Sequence, residues 1–167
     1  VNGKKVIVKS DKSWKAIPAA ADDKDWAKTD FDDSKWESAK ELRGVTAPHI
    51  WKKLITPTDF MSKAAAASSG AFESQARWIY KNGKPQNGES IWLRCRLTLD
   101  AAPASGFLHV AGDDLQTFYI NGRKIYTGGF KTGKISAKNL KAGVNILASK
   151  VKNHVGEGGL LVYGELM

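Results

Sequence analysis

The sequence predicts an all-β fold, a jelly-roll β-sandwich of about eight or nine strands with one short inserted helix or ordered loop. Three observations carry this. From Ile91 to Leu99 the chain alternates cleanly: Leu93, Cys95, Leu97 and Leu99 face one way, and Trp92, Arg94, Arg96 and Thr98 the other. Asn121-Gly122 separates two apolar-rich runs and is the strongest short hairpin signal in the chain. From about residue 76 onward, short strand-like runs follow one another with turn residues between them and no long helix.

The elements follow in order. Val6-Ile7-Val8 is a short first strand behind Asn2-Gly3, a pair that normally has a strand before it, so an upstream strand is expected to be missing. An acidic stretch follows, in which Trp14, Trp26 and Trp36 punctuate Asp22, Asp23, Asp25, Asp30, Asp32 and Asp33. Asp32-Asp33-Ser34 should start a turn or one short helix, with Trp36 folding back as an apolar anchor. Thr56-Pro57-Thr58-Asp59 has the order of a helix start, Ala64 to Ala67 could continue it, and Ser68-Ser69-Gly70 would end it. Strands are then expected at Ala76–Tyr80, Ile91–Leu99, Gly106–Ala111, Leu115–Ile120, Arg123–Thr127, Lys134–Ala137, Val144–Asn153 and Leu160–Leu166. The stretch from Lys81 to Gly88 is a loop by composition.

Bulk properties bound the function. At 167 residues, with 42% hydrophobic and 26% charged residues, residues 1–167 read as one globular domain. No apolar run is long enough to span a bilayer, and no signal peptide is visible. Cys95 is the only cysteine, which excludes an internal disulfide and reads as a small core residue rather than a nucleophile. The formal charge of +9 favours anionic partners, although the lysines are spread in small groups such as Lys4-Lys5, Lys52-Lys53 and Lys150/Lys152. That spread suits a solvated surface better than a nucleic-acid site.

Several stretches together resemble a known family. They are Asp113 to Ile125, Leu140 to Ala148, Val151-Lys152-Asn153, Gly158-Gly159-Leu160, Phe31 to Trp36 and Ala76 to Tyr80. In that order they look like the galactose-binding-domain-like β-sandwich, the lectin-like module that accompanies large bacterial glycoside hydrolases and other secreted multidomain proteins. The likeness covers most of the chain; residues 42–75 match nothing in it. It implies a non-catalytic carbohydrate-binding module that targets a linked enzyme to a glycan, in a secreted, periplasmic or cell-surface protein. Related sandwiches often hold a structural Ca²⁺. Here the aspartates from Asp22 to Asp33 offer oxygens but lack the spacing of a calcium loop, and capped turns account for them equally well.

No catalytic motif emerges. His49, His109 and His154 are scattered, and there is no nucleophile elbow, phosphate loop or Cys-x-x-Cys pair. Asp113 and Asp114 are adjacent and would point to opposite faces, unlike the converging carboxylates of a glycosidase. The aromatics are the candidate ligand groups, since sugars stack their CH faces on Trp or Tyr. Trp51 lies in the unmatched segment, and Trp78, Tyr80 and Trp92 flank the Lys81–Glu89 loop. Trp92 shares its strand face with Arg94 and Arg96, and His154 could add a polar contact at one end of the sandwich. The expected partner is an oligo- or polysaccharide, an anionic one among the possibilities. The alternatives are a structural or protein-interaction domain and a salt-sensitive polyanion binder.

Overall fold

A computed structural model describes residues 5–19, 25–42, 76–129 and 133–167. Alternating side chains that bury one stripe and turn residues that reverse the chain give twelve strands among these residues. They are β1 (Val6–Lys9), β2 (Lys15–Pro18), β3 (Glu37–Ser38), β4 (Lys40–Glu41), β5 (Ile79–Tyr80) and β6 (Ser90–Leu99). β7 (Gly106–Asp113), β8 (Leu115–Ile120), β9 (Arg123–Gly129), β10 (Gly133–Ser136), β11 (Gly143–Lys152) and β12 (Gly159–Leu166) follow. The described residues contain one single-turn 3₁₀ helix, Ala137–Asn139, capped by the Ser136 side chain. The helix expected after Thr56 and the strand expected before Val6 lie outside the described residues.

Two antiparallel sheets pack face to face. The first runs β10-β7-β12-β5-β4, with β1 also paired to β12; the second runs β3-β2-β6-β11-β8-β9. The sandwich class predicted from the sequence is therefore correct, and the two-residue strands β3 and β4 account for most of the excess over the expected count. Between the sheets lie Trp14, Leu93, Leu99, Leu108, Val110, Phe118, Ile120, Leu147, Val151, Leu160 and Val162, all buried. β6 keeps its predicted phase, with Leu93 and Leu99 inside and Cys95 and Leu97 packed at the core's edge.

The hairpin between β8 and β9 turns as its sequence demands. Asn121 has φ 53° and Gly122 φ 81°, the positive pair of a type I′ turn. Asn121 also ties the turn to β11. Its amide donates to Asn145 Oδ1 (3.1 Å), and its Oδ1 accepts the Ile146 N–H (2.8 Å). Gly143 enters β11 at φ 79°, which a residue with a Cβ adopts only under strain. β11 then buries both faces: Leu147 and Val151 point inward, Ile146 and Ala148 outward.

Candidate functional site

The outer face of the second sheet holds the most aromatic cluster, and it is sealed. Trp92 and Arg94 leave β6 on this face, as the alternation predicts, but the segment around residues 25–36 folds over them. Trp26 stacks on Trp92 with centroids 5.1 Å apart and planes 5° from parallel. Trp36 stacks on both, at 6.3 Å from Trp92 and 6.4 Å from Trp26. Tyr119 meets Trp26 edge-on at 5.3 Å, and Phe31 meets Trp36 edge-on at 5.7 Å. The Trp92 and Trp26 rings are 4% and 5% exposed, so neither offers a face to a sugar.

Arg94 closes this layer. Its Nε donates to Asp33 Oδ2 (2.7 Å), Nη1 to the Trp26 and Lys28 carbonyls (3.0 and 2.8 Å) and Nη2 to the Phe31 carbonyl (3.1 Å). Its planar donors are thus spent inside the protein, where 2% of the residue is exposed. Lys15 Nζ adds bonds to Asp33 Oδ1 and the Asp33 carbonyl, both 2.8 Å. Burial alone would raise the Asp33 carboxyl, but the bonds from Lys15 and Arg94 outweigh it and hold the group below its ordinary value. The face that reads in the sequence as polar but for one ring is therefore a second apolar layer. Trp92 and Arg94, expected to touch ligand, are structural groups of this layer.

The end of the sandwich around the Lys81–Glu89 loop corrects two further expectations. Tyr80 is fully buried in the main core, and its hydroxyl donates to Glu89 Oε2 (3.1 Å). Burial and the neighbouring Glu89 charge push this phenol up. Glu89 also pairs with Lys81. Trp78 is buried beside Gly159, whose Cα stands close enough that an added Cβ would lie 3.2 Å from the indole. A covered ring is a packing group, not a stacking platform.

His154 alone of the described candidates is exposed. Its backbone N–H and that of Val155 donate to Asp114 Oδ2 (2.6 and 3.3 Å). Asp114 thus ties down the last loop. Asn153 Nδ2 donates to the Gln86 and Gly156 carbonyls, and Gly156 N–H donates to Asn87 Oδ1. Three loops are stitched together here. Trp51 lies outside the described residues.

An open concavity lies elsewhere, and its assembly is invisible along the sequence. A cleft of about 580 Å³ is lined by Lys9, Asp11, Lys12, Ser13, Ser38, Glu41 and Arg77. Its volume is within the range of small-ligand sites. Its floor is fixed. The Ser13 N–H donates to Asp11 Oδ1 (2.8 Å), and the Trp14 indole donates to the Lys9 carbonyl (3.0 Å). Ser10, wholly buried, accepts the Val162 N–H and donates to the Arg77 carbonyl (2.6 Å), while its own carbonyl accepts the Arg77 N–H.

Ser13 also lines a smaller pocket of about 230 Å³ with Lys15, Asp33, Cys95 and Arg96. Burial, then the Asp11 charge, pushes the Cys95 thiol up to about 12, so it stays protonated near neutral pH. The only local signal for the cleft is the charged turn Lys9-Ser10-Asp11-Lys12-Ser13 between two short strands. Ser38 and Glu41 reach it through sheet pairing, and Arg77 through its backbone bonds to Ser10.

Asp33, Glu89, Asp114 and Glu165 have structural duties. Glu165 is raised by burial but lowered further by Lys5 and the Tyr163 hydroxyl, so it stays ionised like Asp33. Among the described residues no three His, Cys, Asp or Glu side chains gather as a metal cluster, and no helix is long and apolar enough to cross a membrane.

No family profile and no curated protein matches this chain. Solved structures do share its fold. One is a Bacteroides uniformis β-glucuronidase 2 bound covalently to cyclophellitol-6-carboxylate aziridine. It superposes with a TM-score of 0.55 at 22% identity, over 98% of this chain and 18% of its own. A glycosyl hydrolase family 2 member from Bacteroides cellulosilyticus gives 0.56 at 16% identity, covering 96% and 20%. A Bifidobacterium dentium β-glucuronidase complexed with coumarin-3-O-glucuronide gives 0.52 at 14%, covering 93% and 21%. The chain spans about a fifth of the length of these enzymes. At such identities the likeness is one of fold.

Proposed function

We propose that this chain is a non-catalytic accessory β-sandwich of a multidomain carbohydrate-active enzyme acting outside the cytoplasm. The observation that carries the reading is the disproportion in the fold match: nearly all of this chain fits onto less than a quarter of each enzyme. The carboxylates described above support it, because Asp33, Glu89, Asp114 and Glu165 are all bound to cations or backbone donors of the domain itself. A hydrolase of this chemistry needs one carboxyl held protonated opposite a second one. In the accessory role the domain keeps a linked catalytic unit close to its glycan, raising local substrate concentration.

The test is incubation of the purified chain with aryl β-glucuronides and a panel of polysaccharides, alongside retention on the same glycans at low and high salt. Retention without turnover is expected. Turnover that persists after repurification would end the accessory reading. A second reading is favoured by the sealed tryptophans: a domain that only packs against the rest of its polypeptide. It predicts no retention on any glycan at either salt.

A further inference from the structure

We propose that the cleft beside the β1–β2 turn is a subsite for an acidic oligosaccharide, one whose sugar units carry carboxylates. This rests on the accessory-domain reading and gives that domain a ligand class and a place to hold it. The lining is mixed in a way that suits such a ligand. Lys9, Lys12 and Arg77 supply three cations, while Asp11, Glu41, Ser13 and Ser38 supply acceptors and hydroxyls. A simple anion would be repelled by the two carboxylates. Among the described lining residues three cations stand against two carboxylates, so a neutral sugar would leave an excess of positive charge. A sugar acid uses both: its carboxylate pairs with a cation, and its hydroxyls donate to carboxylates and exchange bonds with the serines.

The cleft also has the reach for more than one ring. Ser13 lines both this cleft and the smaller pocket that holds Lys15 and Arg96. A chain passing over Ser13 would run from the Arg77 side toward Arg96, which is exposed at the far end. Lys15 and Arg94 are already engaged by Asp33 there, so Arg96 is the cation that meets a second carboxylate. No aromatic ring is among the described residues lining the larger cleft, and the proposed recognition there is by charge and hydrogen bonds. Binding of this kind weakens as salt rises.

The probe is a trigalacturonate, titrated by calorimetry into the full chain, with its fully methyl-esterified form as the neutral counterpart. The esterified form is expected to bind about tenfold more weakly. Lys9→Gln/Lys12→Gln should weaken the acid form by about tenfold, and Arg77→Gln by a similar factor. Arg123→Gln/Lys124→Gln, on the edge strand β9, removes equal charge and should change affinity less than about threefold. Equal losses in the two double variants would overturn the subsite in favour of diffuse attraction. Absence of binding to the acid form, or equal binding of both forms, would overturn it too. Neither result touches the accessory reading, which falls only if the isolated chain turns over a glycoside. Among the described residues Lys9 and Lys12 carry no fold-forming side-chain bond beyond one long contact of Lys9 to Asp11 (3.8 Å), so the first variant remains folded if Arg77→Gln does not.

Discussion

The outer face of the second sheet and the cleft beside the β1–β2 turn lie close together, and Ser13, Lys15 and Asp33 run between them. They use opposite materials. The first stacks three tryptophans under Arg94 and excludes water; the second gathers charged and hydroxyl side chains around open space. In the sequence the aromatics suggest a ligand platform and the spread lysines suggest plain surface. The structure reverses the first of these, because stacking faces satisfied by other rings have nothing left for a sugar. A high tryptophan count is thus no measure of binding aromatics when an acidic segment can bring its own rings to cover a sheet.

The largest effect should come from breaking the lock on the sealed face. Arg94→Ala leaves the half-buried Asp33 carboxylate with Lys15 alone and three carbonyls without their donor, and should cost about 3–5 kcal/mol in urea unfolding. Arg94→Lys should recover only part of this, since one ammonium cannot span donors arranged as a planar fork. If Lys restored full stability, charge rather than the fork would be what holds residues 25–36 in place. Trp92→Ala removes the central ring and should cost about 3–4 kcal/mol. In a double-mutant cycle with Trp26→Ala, a coupling near zero would mean the stack contributes nothing beyond its separate burial.

A smaller effect comes from the first sheet. His109 sits in register with Tyr163 on β12 and Lys134 on β10. Burial, aided by the Lys134 charge, lowers its imidazole to about 4, against an ordinary value of 6.5. The unfolded chain therefore takes up a proton between these values that the folded chain refuses. The stability that neutral His109 confers is complete above pH 6.5 and declines as pH falls toward 4. His109→Gln should flatten the stability profile across that window by up to one proton's worth of slope. An unchanged profile would assign the slope to other groups. Smallest of all, Lys9→Gln/Lys12→Gln should leave stability within about 0.5 kcal/mol of the parent, because exposed cleft cations add little to folding.

Much of the frame was legible in one dimension. The phase of β6, the Asn121-Gly122 turn and the glycine entering β11 are local signals, set by side-chain alternation and backbone sterics within a few residues. What covers the outward residues of β6 was not legible. Arg94 and Asp33 are 61 positions apart, and nothing in either neighbourhood announces the other. The same holds for the cleft, where Arg77 is held by Ser10, 67 positions earlier. Trp78, Tyr80, Trp92 and Arg94, expected as ligand contacts, are buried for that reason: exposure is a property of the tertiary partner, not of the residue type.

The contrast between the two regions can be read in one spectrum. Trigalacturonate is titrated into isotope-labelled protein while the backbone amides and the indole N–H signals are followed together. Movement of the Lys12, Ser13, Ser38 and Arg77 amides, with the Trp26, Trp36 and Trp92 indoles unmoved, is the predicted result. Movement of those indoles with a silent cleft would contradict it, as would a spectrum in which nothing moves.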